Sequence, residues 1–214
     1  MASWTPLESD PLVFNDMMAK IGVTGAKCVD VLYFDDESIE KPQLAVVLCF
    51  PQYEKVWEIT KPNYEAAAPA DSVFFMRQNI RNACGTFALF HSLANLEDRI
   101  NIGNGPFAQW LSKAKAVGSA ERSDILEKDA ELAKIHEQVA ARGATAAPAT
   151  VKHHFIAFVN KNGKLLEIDS RFDFAREIGP TSDETLVKDV GAAVKHLFDK
   201  LNDIQFSALA LVKN

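Results

Sequence analysis

Residues 84–95, CGTFALFHSLAN, place Phe87, Ala88, Leu89, Phe90, Leu93 and Ala94 around the whole circumference of a helix instead of along one stripe. A helix that is apolar all round is enclosed by the core, so other layers must pack on more than one side of it. The chain can supply them. It has 214 residues, 48% of them hydrophobic, enough for one large domain, which we read as spanning 1–214. Residues 28–34 and 43–50 are rich in Val, Leu, Phe and Tyr, are bounded by Gly, Asp and Pro, and read as strands, the second buried on both faces.

From 106 to 136 the apolar positions follow helical spacing in two or three short segments, with Ser119 and Ser123 as N-cap candidates. The pattern then stops. Residues 137–150 are dominated by Ala, Thr, Gly and Pro, and read as a long mobile loop of the kind that serves as a lid. A dense apolar strand at 154–159 follows, then Asn162-Gly163, then a second apolar run at 165–169. Asn-Gly between two such runs is the strongest short hairpin signal. Residues 181–201 read as a helix started by Ser182, with Leu186, Val190, Val194 and Leu197 on one face, and 204–212 as a last strand.

The formal charge of −6 disfavours a general nucleic-acid binder and suits a basic protein partner better. Cys28, Cys49 and Cys84 are an odd number without short spacing, so neither a disulfide framework nor a zinc knuckle is expected, and the plain expectation is reduced thiols in cytoplasm or nucleus. The longest strongly apolar run, 44–50, is too short to span a bilayer, and the N-terminus has neither the charge nor the apolar stretch of a leader. No cofactor or metal is expected, and no repeat or heptad demands an oligomer.

Cys84 falls at the entrance of the enclosed helix, with Asn82 as candidate N-cap. There the free backbone N–H groups and the positive end of the macrodipole favour a thiolate. Gly85 beside it would leave room for a substrate backbone. The plain alternative is a buried structural cysteine, the reading that suits Cys28 and Cys49.

If Asn162 and Gly163 centre the turn, residues whose numbers sum to 325 face each other, so Asp169 opposes Ile156. Ile156 shares its face with His154 and not with His153. Asp169 is then the diagonal neighbour of His154, close enough to fix its tautomer and steady its cation. A one-residue bulge would reverse this parity. Glu167 shares the face at greater distance, while His91, His136 and His196 are read as structural or exposed. Gln78, just upstream of Cys84, can join the Cys84 backbone N–H in stabilising an oxyanion.

Several segments together carry a family resemblance: Trp4-Thr5-Pro6-Leu7-Glu8-Ser9, residues 78–86, His154-Phe155-Ile156-Ala157, Glu167-Ile168-Asp169-Ser170-Arg171, Thr181-Ser182-Asp183-Glu184-Thr185-Leu186 and Phe206-Ser207-Ala208-Leu209-Ala210-Leu211. The chain resembles the ubiquitin carboxyl-terminal hydrolases, papain-like cysteine peptidases, in a short single-domain form. The resemblance implies an α+β fold with a central antiparallel β-sheet flanked by helices in α-β-α layers and a knotted backbone. It implies Cys84 as nucleophile, His154 as general base and acid, Asp169 as the acid that orients it and Gln78 as oxyanion donor. It assigns 137–150 to a crossover loop that limits leaving groups to small or unstructured ones, and places Leu7, Glu8 and Phe206 among residues that contact ubiquitin. The implied activity is hydrolysis of esters, thioesters, amides or short peptides at the C-terminal Gly of ubiquitin, with ubiquitin as the partner and activity on related modifiers left open. Two rivals stay open: a ubiquitin-binding module with an idle site, and another Cys-His-Asp acyl transferase or amidase.

Overall fold

In the computed structural model, which describes residues 2–35, 37–144, 152–201 and 205–214, the run Gln43–Phe50 (β2) is buried at every position. It is buried because it lies inside a six-stranded antiparallel sheet of order β1-β6-β2-β3-β4-β5. The other strands are β1 (Ala26–Asp30), β3 (His154–Lys161), β4 (Lys164–Ile168), β5 (Arg176–Pro180) and β6 (Ser207–Lys213). Side chains alternate between two cores. Ala45, Val47 and Cys49 join Phe155, Ala157 and Val159 on one face, while Val46, Leu48 and Phe50 join Ile156 and Phe158 on the other.

The first core is covered by α1 (Pro11–Ile21), α3 (Cys84–Asn95), α4 (Pro106–Lys115), α5 (Ser119–Glu127) and α6 (Ala130–Ala140), through Phe14, Met17, Phe87, Phe90, Phe107 and Trp110. The second is covered by α7 (Leu186–Leu201), through Leu186, Val190, Val194 and Leu197, and by Val56 of α2 (Tyr53–Glu65). Each large apolar side chain so enclosed contributes about 1.5–3 kcal/mol of hydrophobic stabilisation. Every residue of α3 is buried, as its all-round apolarity requires.

The β3–β4 ribbon keeps the expected register, with Ala157 opposite Ile168, Phe158 opposite Glu167 and Lys161 opposite Lys164. Both turn residues take positive φ, 54° at Asn162 and 80° at Gly163, the conformation a two-residue hairpin demands.

Several boundaries move. The first strand stops at Asp30 instead of 34, leaving Leu32 81% and Tyr33 69% exposed. Asp35 accepts the backbone N–H groups of Glu37 and Ser38 and turns the chain away from the sheet. Helix α7 starts at Leu186, because Thr181 is still bonded to the Gly163 carbonyl; residues 181–185 form its entry, with Ser182 accepting from Leu186 through its carbonyl.

Neither Ser119 nor Ser123 caps a helix. Gly118 and Asp129 occupy the N-cap positions of α5 and α6, and the Ser123 hydroxyl bonds the Arg77 carbonyl from inside α5. The segment expected to be loop from 137 begins as helix, since α6 continues to Ala140 and Glu137 is engaged with Thr5. Residues 145–150 of that segment lie outside the described residues, as does 204 at the start of the expected last strand. Helices α1 and α2 and strand β5 were not expected at all. Among the described residues, no helix is long and apolar enough to cross a membrane.

Candidate active site

Cys84 is the first residue of α3. Asn82 does not cap the helix. It takes a left-handed φ of 63°, and Ala83 holds the N-cap position without a side-chain bond, so no capping side chain occupies the first turn. The approach to the helix is held from outside, where Trp4 N–H bonds the Arg81 carbonyl at 3.0 Å and Arg81 N–H bonds the Ala2 carbonyl at 2.9 Å.

The Cys84 thiol meets the His154 imidazole and the backbone N–H groups of Phe155 and Gly85. Burial alone would push this thiol up. The hydrogen bond and positive charge of His154, helped by the two N–H groups, outweigh burial and bring it below its ordinary value. Cys28 and Cys49 are buried without such partners and shifted far the other way by desolvation, which fits the structural role read for them.

His154 Nε2 lies 2.8 Å from Asp169 Oδ1, leaving Nδ1 to face the thiol. Burial works against the imidazolium, but the Asp169 carboxylate more than offsets it, so the imidazole stands above its ordinary pKa. A lowered thiol beside a raised imidazole favours passage of a proton from sulfur to ring. The ring also sits edge-on to Phe50, its cross-strand partner, at 5.9 Å between centroids.

Asp169 is fully buried and carries a second cation. Arg171 donates to its carboxylate from the backbone at 3.0 Å and from Nη2 at 2.9 Å, and reaches the Tyr53 carbonyl at 2.9 Å with Nη1. Despite burial, His154 and Arg171 hold the Asp169 carboxyl well below the usual carboxylate range. Arg171 belongs to a segment that carries the family resemblance, but the sequence reading gave it no role. Its signal was available as the Asp-x-Arg spacing in Asp169-Ser170-Arg171.

Gln78 is half-buried and fixed at three points. Its backbone N–H donates to the Ser170 carbonyl at 2.8 Å, its Oε1 accepts from the Ser170 hydroxyl at 2.9 Å, and its Nε2 donates to the Ile80 carbonyl at 2.9 Å. Glu167 belongs to a different pair, 2.6 Å from Arg176 Nη2.

His91 and His136 serve the scaffold. His91 accepts the Met76 N–H at 3.0 Å, and burial pushes its pKa down to about 3, which keeps it neutral. His136 donates from Nε2 to the Thr5 carbonyl at 2.6 Å and accepts the Thr86 hydroxyl at 2.8 Å, while Trp4 packs on its ring with centroids 4.5 Å apart. Glu137 adds bonds to Thr5 N–H at 2.9 Å and to its hydroxyl at 2.6 Å. The N-terminal arm is thereby clasped to α6 and to the first turn of α3.

That arm corrects the reading of Gly85. A Cβ at Gly85 would stand 3.2 Å from Leu7 Cβ and 3.4 Å from Phe155, so the space is filled by the protein's own side chains rather than kept for a substrate. Leu7 is accordingly 5% exposed. Glu8 approaches Gly143, where a Cβ would come within 2.8 Å of its Oε2. Phe206 is half-buried and packs edge-on against Phe198 at 4.4 Å, on the α7 side of the sheet.

A surface depression of about 500 Å³ is lined by Tyr53, Glu54, Trp57, Glu58 and Arg171 and includes neither Cys84 nor His154. It adjoins the Asp169–Arg171 pair through Arg171. Among the described residues, no group of three or more His, Cys, Asp or Glu side chains is placed to hold a metal ion.

A thiol of lowered pKa at a helix entrance, an imidazole and a buried carboxylate in series can perform acyl transfer. The family model described as ubiquitin carboxyl-terminal hydrolase, family 1, matches residues 4–199. A ubiquitin carboxyl-terminal hydrolase of Drosophila melanogaster is 38% identical over 229 residues, covering 99% of this chain and 98% of that one. Ubiquitin carboxyl-terminal hydrolase isozyme L1 of Homo sapiens is 32% identical over 217 residues and covers 97% of both chains. The catalytic domain of Trichinella spiralis UCH37, solved bound to ubiquitin vinyl methyl ester, shares the fold with a TM-score of 0.77 at 22% identity, covering 100% of this chain and 97% of that one. The α+β, papain-like architecture and the near-complete overlap in sequence agree, and the chain belongs to the ubiquitin carboxyl-terminal hydrolase family 1, whose members are cysteine peptidases.

Proposed function

We propose that this protein is a cysteine-type deubiquitinating hydrolase in which Cys84, His154, Asp169 and Gln78 carry the reaction at the C-terminal Gly of ubiquitin. The Cys84 thiolate attacks the Gly carbonyl, and the oxyanion is met by a Gln78 N–H and the Cys84 backbone N–H. The imidazolium of His154 gives its proton to the leaving amine, alcohol or thiol as the C–X bond breaks, leaving a ubiquitin thioester on Cys84. His154 then takes a proton from water, the hydroxide adds to the thioester, and the carboxylate of ubiquitin departs as the thiolate is restored.

The single observation behind this reading is the thiol in contact with an imidazole that is itself bonded to a buried carboxylate. The same contact argues against an idle binding module. Cys84 is 6% exposed and His154 5%, so a peptide carbonyl reaches the thiol only after neighbouring side chains shift. Binding energy from ubiquitin is the natural source of that shift.

Ubiquitin is the proposed partner, met by an acidic monomer of net charge −6 in cytoplasm or nucleus, where three free cysteines suit a reducing milieu. Glu8 and Phe206 have surface to offer as ubiquitin contacts. Leu7 offers little while it packs on Gly85, and supports binding by seating the arm. Residues after Ala140, up to 150, are proposed as the crossover loop of a single domain that restricts leaving groups. Lengthening that loop is expected to broaden accepted adducts while sparing a small fluorogenic amide of ubiquitin.

The decisive experiment exposes the protein to a ubiquitin bearing a C-terminal electrophile and locates the adduct by mass spectrometry. Modification of Cys84, absent in Cys84→Ala, supports the assignment; modification elsewhere or none sinks it.

A further inference from the structure

Ser170 stands between the residue that orients the base and the guanidinium that steadies it, and it is 2% exposed. Its hydroxyl donates to Gln78 Oε1 at 2.9 Å while its carbonyl accepts the Gln78 backbone N–H at 2.8 Å. The other end of the Gln78 carboxamide donates to the Ile80 carbonyl at 2.9 Å. A carboxamide has one acceptor end and one donor end with two N–H groups. A carbonyl oxygen only accepts, so the nitrogen must face Ile80, and the Ser170 hydroxyl then donates to the Oε1 that this orientation presents. A flipped amide would set Oε1 against the Ile80 oxygen. One N–H of Nε2 is left over.

We infer that Ser170 is a positioning residue for the oxyanion hole, holding the Gln78 carboxamide with its spare N–H toward the carbonyl under attack. This rests on the role proposed for Gln78. The hydroxyl also draws electron density toward Oε1, which polarises the amide and makes the spare N–H a better donor. Because Ser170 follows Asp169 directly, one backbone step sets both the acid that orients His154 and the donor that meets the oxyanion.

The test measures kcat and KM on a fluorogenic amide of ubiquitin, with the thermal midpoint, for Ser170→Ala, Gln78→Ala and the double variant. One lost hydrogen bond predicts a fall in kcat of roughly two- to tenfold for Ser170→Ala. KM stays unchanged, the midpoint falls by no more than the roughly 2–4 °C that one lost hydrogen bond costs, and the Gln78→Ala background shows no further loss of kcat. A fall of the same size in that background, or no fall at all beside a clear loss in Gln78→Ala, overturns the inference. If Gln78→Ala itself leaves kcat intact, it is the oxyanion assignment of Gln78 that fails, and Ser170's role falls with it.

Discussion

His154 and Asp169 meet at the open end of the β3–β4 ribbon, Nε2 to Oδ1 at 2.8 Å, with the carboxylate wholly enclosed and held ionised by a second cation. The acid therefore cannot relax into water, and the imidazole keeps one orientation.

Asp169→Asn is expected to lower kcat by about 10²- to 10⁴-fold, the scale on which a mis-set imidazole tautomer acts in such triads. The loss should be smaller than that of Cys84→Ala, since the nucleophile is kept. Steady-state hydrolysis of a ubiquitin amide, with near-ultraviolet circular dichroism to confirm packing, decides it.

His154→Ala should raise the pKa of Cys84 above that of an ordinary thiol. Without the imidazole, burial prevails over the two backbone N–H groups. In the wild type, alkylation by iodoacetamide stays fast down to a pH below the ordinary thiol range, and it slows as pH falls through the lowered thiol pKa. In the variant the same slowing begins at higher pH. Rates followed by intact mass across pH 5 to 9 test this.

Arg171→Gln removes a positive charge that opposes His154 protonation, so the imidazole pKa rises further. In the proposed mechanism, turnover falls on the alkaline side as His154 loses the proton it would deliver. That limb of the kcat profile should move to higher pH in the variant. Stability should drop by less than the roughly 3–5 kcal/mol cost of an unpaired buried charge, because His154 still bonds Asp169. Urea unfolding at pH 7 supplies the second number.

Gly85→Ala sets two effects against each other. Ala in a helix gains about 0.5–1 kcal/mol over Gly, but here its methyl would lie 3.2 Å from Leu7 Cβ and 3.4 Å from Phe155. Overpacking typically costs about 1–3 kcal/mol, so a lower thermal midpoint is expected, with the N-terminal arm loosened. Faster proteolysis within residues 2–10 than in the wild type would report the loosening.

The sequence disclosed those parts whose cause is local. Asn162-Gly163 dictates its own turn, and from it the register that brings His154 and Asp169 together follows by counting. The enclosed helix announced itself through the absence of a polar face. Helix α2 stayed hidden because it buries only Val56, Thr60 and Tyr64, carries Pro62, and starts after Gln52 in a left-handed conformation that no turn residue signals. Strand β5 was missed as a short, polar-edged partner of β4 with a shifted register.

The site was legible as a set of reactive groups, less so as a packed object. Nothing near Gly85 in the chain says that Leu7 will occupy its empty side. Nothing near Thr86 says that His136 and Trp4 will close over it. Those are long-range contacts, fixed only once the arm meets α3 and α6.

Imidazole and carboxylate thus ride on a single hairpin, while the sulfur rides on a helix from another layer. Any slackening between those two bodies would first show as a quieter cysteine, with the imidazole–carboxylate bond still whole. Mild heating that dulls alkylation before the hairpin amides begin to exchange with deuterium would be the signature of that order of failure.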